Sequence, residues 1–395
     1  MPRILLLHVS VGMGHQYAAL ALAKAFAQQP DTSVTVEDTL LRALPLFRRS
    51  YIGSYLGIAD KAPEFWSFFY AQTDRPSSLL DGARALSTSV GVRGLPALLE
   101  HAQPDAIICT HFLPIEALAL MRRRLPPVYC VLTDYHAHQF WACPGVERYF
   151  VPTEATQREI VAAGATPARV HVSGIPIDPV IDTPADRDAA RQQLGLPRDH
   201  PVVTLLGSGL TVERVREITL ALLAKLRPGT NRTAPATVVV ATGRNRALAD
   251  GLADLAAATG GALRVLGPQP SLDPLIVASD LVLSKAGGLT VSEVLARGVP
   301  LLLPTPLAGQ ERWNADYVIG AGAGLGYDTA RALAAAAADL LADPARRAVM
   351  SAAARAIARP AAAQSIASRV LADIEHRAPT LRPVPTTRRT LWPSL

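Results

Sequence analysis

The sequence predicts an α/β protein made of two doubly wound parallel sheets. Three observations predict it. Short, nearly unbroken apolar runs recur along the chain, the pattern of strands buried on both faces. Helix-period segments separate these runs, so the strands are joined by crossovers and run parallel. The alternation stops at a proline-punctuated stretch and then restarts, and 395 residues are too many for one compact core. Hydrophobic residues at 49% against 18% charged supply that core and exclude global disorder.

The elements follow in order. Ile4–Val9 reads as a buried strand, Tyr17–Ala27 as a helix and Val34–Glu37 as a short strand. Ala106–Thr110, Val128–Thr133, Arg148–Pro152 and Val170–Ser173 repeat the strand pattern, with a helix over Glu154–Ala163. Pro176, Pro179, Pro184, Pro197 and Pro201 then mark a linker holding a short helix around Asp186–Leu194. The second series runs through strand Val202–Leu206, helix Val212–Leu226, and strands Thr237–Thr242, Leu281–Ser284 and Leu301–Leu303. Alanine-rich helices follow at Arg331–Leu341 and Ala345–Ala358, parted by Asp343-Pro344, an N-cap and first-turn pair. The expected division is a first domain 1–178, a linker 179–200, a second domain 201–350, a C-terminal helix 351–375 that crosses back to the first domain, and a basic, proline-rich tail 376–395.

Net charge is +6 with a pI near 9.4. That balance favours nucleic acid, acidic lipid or phosphate ligands, although a GC-rich coding sequence gives the same arginine bias. Cys109, Cys130 and Cys143 form no CxxC pair. They suit neither a disulfide framework nor a zinc site, and a reducing compartment fits them. The first apolar run is too short for a signal peptide, and no run reaches the ~20 residues of a membrane span. A cytosolic or membrane-peripheral protein is expected.

Four motifs carry chemistry. Ser10-Val11-Gly12-Met13-Gly14-His15 follows the first strand and opens a helix. Its glycines allow a tight turn, and the helix N-terminus favours negative charge and a neutral imidazole, which suits a base. Alone it fits a capping histidine as well. Thr133-Asp134-Tyr135-His136-Ala137-His138-Gln139-Phe140-Trp141 lies at a strand's C-terminal end, where open α/β sheets bind ligands. Its spacing matches no known metal-ligand set. Ser284-Lys285-Ala286-Gly287-Gly288-Leu289-Thr290-Val291-Ser292-Glu293 turns from strand to helix. Amides after Gly287 suit a diphosphate, and Glu293 one turn on suits ribose hydroxyls. Pro306 through Ala315 follows a buried run, where its amide and carboxylate side chains suit sugar hydroxyls or a helix cap.

Taken in this order, the four motifs resemble the family of monogalactosyldiacylglycerol synthase and the processive diacylglycerol glucosyltransferases. More distantly they are similar to the N-acetylglucosaminyltransferase acting on the peptidoglycan lipid precursor. The resemblance spans roughly 3–325, and Lys285–Glu293 with Pro306–Asn314 is its most specific part. It implies the GT-B fold, two Rossmann-like domains facing across a cleft. It also implies an inverting hexosyltransferase that uses a UDP-sugar and a lipid acceptor such as diacylglycerol, with no metal cofactor.

Residue by residue, the resemblance makes His15 and Asp134 the catalytic candidates. Glu293 would hold the donor ribose, and Gly287, Gly288, Leu289 and Thr290 would form the phosphate turn. Gln310 and Glu311 would contact the sugar, and the loop from Pro268 and Gln269 would read uracil. Gly207 and Ser208 would form the donor domain's first loop. Apart from the resemblance, Arg244, in Thr242-Gly243-Arg244-Asn245 after a strand, is expected to add positive charge at the donor site. Gly12, Gly14, His138 and Trp141 fall on the acceptor side. Two departures stand out: the 207–211 loop has few glycines, and Ala286 replaces a common proline.

Residues 42–75 concentrate aromatics, Tyr51 and Trp66 among them, beside Arg42, Arg48, Arg49 and Lys61. That mixture suits an anionic membrane surface, or a helical excursion packed on the first domain. No nucleic-acid module is present. The expected place of action is the inner face of the cell membrane. The competing readings are a UDP-N-acetylglucosamine epimerase or hydrolase on the same scaffold, and a non-catalytic binding protein.

Overall fold

The structure is a computed structural model. It describes residues 1–61 (side chains through 53), 87–88, 91–121, 123–227, 236–305 and 309–376. Trp66 and its aromatic neighbours 65–70, residues 306–308 and the tail beyond His376 lie outside the described residues.

The first sheet holds β1 (Arg3–His8), β2 (Ser33–Asp38), β3 (Ala106–Cys109), β4 (Val128–Val131), β5 (Val146–Val151) and β6 (Val170–Val172). Their order is β2-β1-β3-β4-β5-β6, parallel throughout. The second holds β7 (Val202–Leu206), β8 (Thr237–Ala241), β9 (Leu263–Leu266), β10 (Leu281–Ser284), β11 (Leu301–Pro304) and β12 (Gly324–Tyr327). Their order is β12-β11-β10-β7-β8-β9, again parallel.

Chain order and sheet order part company between β1 and β3 in the first sheet, and between β7 and β10 in the second. At such switch points neighbouring crossovers leave to opposite faces and open a crevice beyond the strands' C-terminal ends.

The described helices are α1 (Gly14–Ala27), α2 (Pro45–Lys61), α3 (Leu95–Ala102), α4 (Phe112–Ala119), α5 (Glu154–Ala162), α6 (Arg187–Gln193), α7 (Val212–Leu226), α8 (Arg246–Ala258), α9 (Asp273–Ala278), α10 (Gly288–Arg297), α11 (Gln310–Gly320), α12 (Ala330–Ala342), α13 (Pro344–Ile357) and α14 (Ala362–Glu375). Asp343 caps α13 by accepting from the Arg346 amide at 2.9 Å, with Pro344 in the first turn, as the sequence predicts. Strands β9 and β12 were not named from the sequence. Both lie at sheet edges; Arg264 interrupts the first, and Gly324 and Gly326 thin the second.

Segment 179–200 is folded onto the second sheet. Ala190 and Leu196 join its core. Buried Arg191 donates to the Ala278 carbonyl and the Asp280 carboxylate, both at 3.0 Å. Segment 351–375 contains a break at 358–361 rather than one helix. Ahead of the break α13 packs on α10, and beyond it α14 returns to the first domain. Ala363, Ile366, Ala367 and Val370 are buried there against Ile4, Leu6 and Phe26. A two-bond pair from Arg148 to Asp373, at 2.9 and 3.0 Å, fixes the return.

Candidate active site

The β1/β3 switch point is built from histidines. The chain leaves β1 through Ser10–Met13, and Gly12 takes φ +77°, a left-handed turn that glycine enters without strain. Helix α1 then starts with no side-chain cap, so its first amides face the crevice. His15 stands second in that helix. Its Nδ1 lies 2.8 Å from the Thr110 carbonyl and 2.9 Å from Thr133 Oγ1.

A carbonyl only accepts, so Nδ1 carries the ring proton and the lone pair of the neutral ring sits on Nε2. Burial lowers the His15 pKa, and the Asp134 charge partly opposes it. The His15 ring meets His111 edge-on at 4.6 Å and lies 6.5 Å from Trp141. His111, buried and also held neutral by burial, caps α4 by accepting from the Leu113 amide. Neither His111 nor the Thr110 carbonyl was singled out from the sequence. Only folding brings residues 15 and 110 together.

The β7/β10 switch point is built from glycines and one ion pair. Gly207 is buried, and a Cβ there would sit 2.8 Å from Leu248. Ser208 is exposed. Gly209 takes φ +79°, and a Cβ there would meet the Lys285 side chain at 2.3 Å. Lys285 thus lies across the first loop of the second domain, and its ammonium pairs with Glu311 at the start of α11. Lys285 falls inside the third motif, where spacing assigns it no role; its place over Gly209 is tertiary. Helix α10 begins at Gly288, also without a side-chain cap, so the amides of 288–290 have no partner within the helix.

Glu293 is on the second turn of α10. Burial, with Asp178 and Asp273 nearby, pushes its pKa up to about 8. Arg244 and Pro268 are exposed on the loops after β8 and β9, and Gln269 donates to the Gly267 carbonyl. All strands of this sheet are parallel, so these loops share one edge with Gly207, Gly287 and Gln310.

The two switch points meet. Helix α1 packs on α10, where Ala18, Leu289, Ile175, Ile177 and Ile181 form one apolar cluster. A Cβ at Gly288 would lie 2.2 Å from the Thr133 carbonyl. Gly288 is therefore required by the contact between domains, a reason the phosphate-turn reading did not contain.

Two of the acceptor-side candidates are buried: His138 and Trp141 are 1% and 3% exposed. His138 caps a turn by accepting from the Phe140 amide at 3.2 Å, and Trp141 packs beside His111 at 6.2 Å. Tyr51 is half-buried, stacked on Phe47 at 5.7 Å and 6.4 Å from His111. Among the described residues, no group of three or more His, Cys, Asp or Glu is arranged to hold a metal ion. No described helix is long and apolar enough to cross a membrane.

Residues 15–177 match the model of the monogalactosyldiacylglycerol synthase family, and residues 217–369 match the glycosyltransferase family 28 C-terminal domain. This chain is a glycosyltransferase of the GT-B type. The transferase is 28% identical over 347 residues to the processive diacylglycerol beta-glucosyltransferase of Bacillus subtilis, covering 86% of this chain and 87% of that one. Its fold is similar to that of Acinetobacter baumannii MurG (TM-score 0.59, 17% identity, 94% of this chain and 100% of that one). It is also similar to the UDP-GlcNAc 2-epimerase of Neisseria meningitidis solved with UDP-GlcNAc (TM-score 0.59, 14% identity, 93% and 99%). The recognition and the two-domain GT-B architecture expected from the sequence both stand.

Proposed function

We propose that this transferase moves a hexose from a UDP-sugar to diacylglycerol at an anionic membrane surface, with inversion at the anomeric carbon. The observation that carries the reading is the meeting of two uncapped helix starts, one offering a neutral imidazole and the other open amides. The diphosphate binds the α10 amides, whose partial positive charge suits it. Lys285 exchanges Glu311 for a phosphate oxygen, Glu293 holds the ribose, and Gln310 and Glu311 contact the sugar. The diphosphate is held in this way without a metal ion.

The acceptor hydroxyl oxygen attacks C1 as the C1–O bond to UDP breaks. The hydroxyl proton passes to Nε2 of His15, and UDP leaves with the bonding pair. Inversion is supported by the sequence relatives, which are named as beta-glucosyltransferases: UDP-glucose carries an α bond, so a single displacement gives β.

The membrane-facing side is supported by α2 and the turn before it. Leu41 and Leu46 are 65% and 78% exposed, beside exposed Arg48 and Arg49. Phe47 and Tyr51, one turn apart, reach inward toward His111. Exposed leucines among arginines suit an anionic interface on the inner face of the membrane.

The test is to incubate the full chain with radiolabelled UDP-sugars and vesicles of diacylglycerol and an anionic lipid, separate the lipids, and determine the product anomer. A labelled β-glycolipid is expected. Epimerised or free sugar formed without the lipid would overturn the proposal in favour of an epimerase or hydrolase.

A further inference from the structure

The loop that carries Asp134 belongs to the first domain, yet the second domain holds it. Asn314, one turn into α11, is fully buried. Its Oδ1 accepts from the Tyr135 amide at 2.8 Å. Its Nδ2 donates to Asp134 Oδ1 at 3.0 Å and to the Ala286 carbonyl at 2.8 Å. One side-chain amide therefore makes three bonds, two across the cleft and one to the strand-turn that precedes the α10 amides. Its neighbours reinforce the grip. Tyr135 stacks on Tyr317 at 4.3 Å, and its hydroxyl meets Ser292 Oγ at 2.9 Å. His136 lies flat on Trp313 at 4.2 Å.

We propose that Asn314 is a positioning residue that locks the Asp134 carboxylate beside His15 and couples that placement to the donor-holding helix α11. The proposal rests on the reading of His15 as the base. A carboxylate is an acceptor only, so its orientation is set by whichever donors reach it. Asn314 supplies one from a rigid helix whose first turn carries Gln310 and Glu311. Sugar contact and carboxylate placement are thus built on the same helix, one turn apart.

The groups facing His15 are Asp134 from the loop after β4, His8 at the end of β1 and His111 at the start of α4. Asp134 is the only anion among those three. When it is no longer held, His15 is harder to protonate, and the acid limb of activity moves to lower pH.

The test compares Asn314→Ala and Asn314→Asp in the full chain with the diacylglycerol vesicle assay. Asn314→Ala is expected to lower kcat about 30-fold or more, the scale of a lost hydrogen bond to a charged group plus misplacement. UDP affinity should stay within about threefold, and the acid limb of kcat/KM should shift downward. Asn314→Asp keeps the acceptor for the Tyr135 amide but sets a second carboxylate against Asp134, so it should lose at least as much.

Adding Asp134→Asn to Asn314→Asp restores a donor-acceptor pair. It should recover thermal stability without recovering the acid limb, which a merely structural role would not predict. Wild-type kcat and pH profile in Asn314→Ala, or full recovery in the double variant, would overturn the proposal. Should Asn314→Ala fail to fold, the other two variants decide by the same criteria. His15→Ala, assayed alongside, separates the two ideas. An active His15→Ala enzyme removes the base and this proposal with it. An inactive one beside an unaffected Asn314→Ala enzyme overturns the role of Asn314 alone.

Discussion

The two switch points of this molecule share one plan and carry opposite chemistry. Each is a strand, a glycine turn and an uncapped helix start: β1 to α1, and β10 to α10. At the first, half-buried His15 and buried His111 pack together and are held neutral by desolvation. At the second, the loops carry glycine, one lysine and one carboxylate pair partner, and the helix start has no side-chain cap. The backbone plan makes a crevice with positive potential in both cases. What fills it decides whether the crevice takes an anion or keeps a base unprotonated. A desolvated imidazole beside a helix N-terminus resists protonation; helix-start amides beside Lys285 attract phosphate.

The variants that break this comparison can be ranked. His15→Ala should cost the most, a fall of roughly 10²–10⁴ in kcat, the range for general-base catalysis. Titration calorimetry with UDP should meanwhile give an affinity close to wild type; a large loss of UDP binding would place His15 on the donor side.

Second come Lys285→Ala and Glu293→Gln: the first is expected to weaken UDP binding by about 10- to 100-fold, the worth of a charge-assisted hydrogen bond, and the second by as much only above pH 8, where the Glu293 carboxylate is charged. The same calorimetry reads them, and unchanged affinity in both would move the donor elsewhere. Third, Gly288→Ala should lower the melting temperature and kcat together, because its Cβ meets the Thr133 carbonyl backbone. A normal melting curve would show that the contact yields at little cost.

The smallest effect sharpens the contrast through pH. His8, His15 and His111 have lowered pKa values, so the unfolded chain binds more protons than the folded one just below the ordinary value of 6.5. Stability is therefore retained above 6.5 and lost as pH falls from 6.5 toward the folded values. Glu293 acts in the opposite sense: its pKa rises to about 8, so stability falls as pH rises from the ordinary 4.5 to 8. Glu293→Gln should raise the melting temperature at pH 8 by roughly 1–2 °C, the scale of about 1 kcal/mol in a chain of 395 residues. Melting scans at pH 5 should show that gain gone. A gain equal at both values would mean that the Glu293 charge is not what costs stability.

The sequence alone determined the two parallel sheets, because strands buried on both faces must read as unbroken apolar runs, and Val202–Leu206 and Leu281–Ser284 do. It also determined where the turns fall, because Gly12, Gly209 and the Asp343-Pro344 cap are local requirements of backbone geometry. The motif around His15 and Glu293 was legible for the same reason. Local spacing could not show that His15 gives its ring proton to Thr110, that Gly288 is small because Thr133 passes over it, or that Asn314 holds Asp134. Those pairs are separated by 95, 155 and 180 positions. Nor could spacing show that His138 and Trp141 are buried. Hydrogen bonds and close packing are short-ranged in space, and only the folded cleft brings such distant positions within their reach.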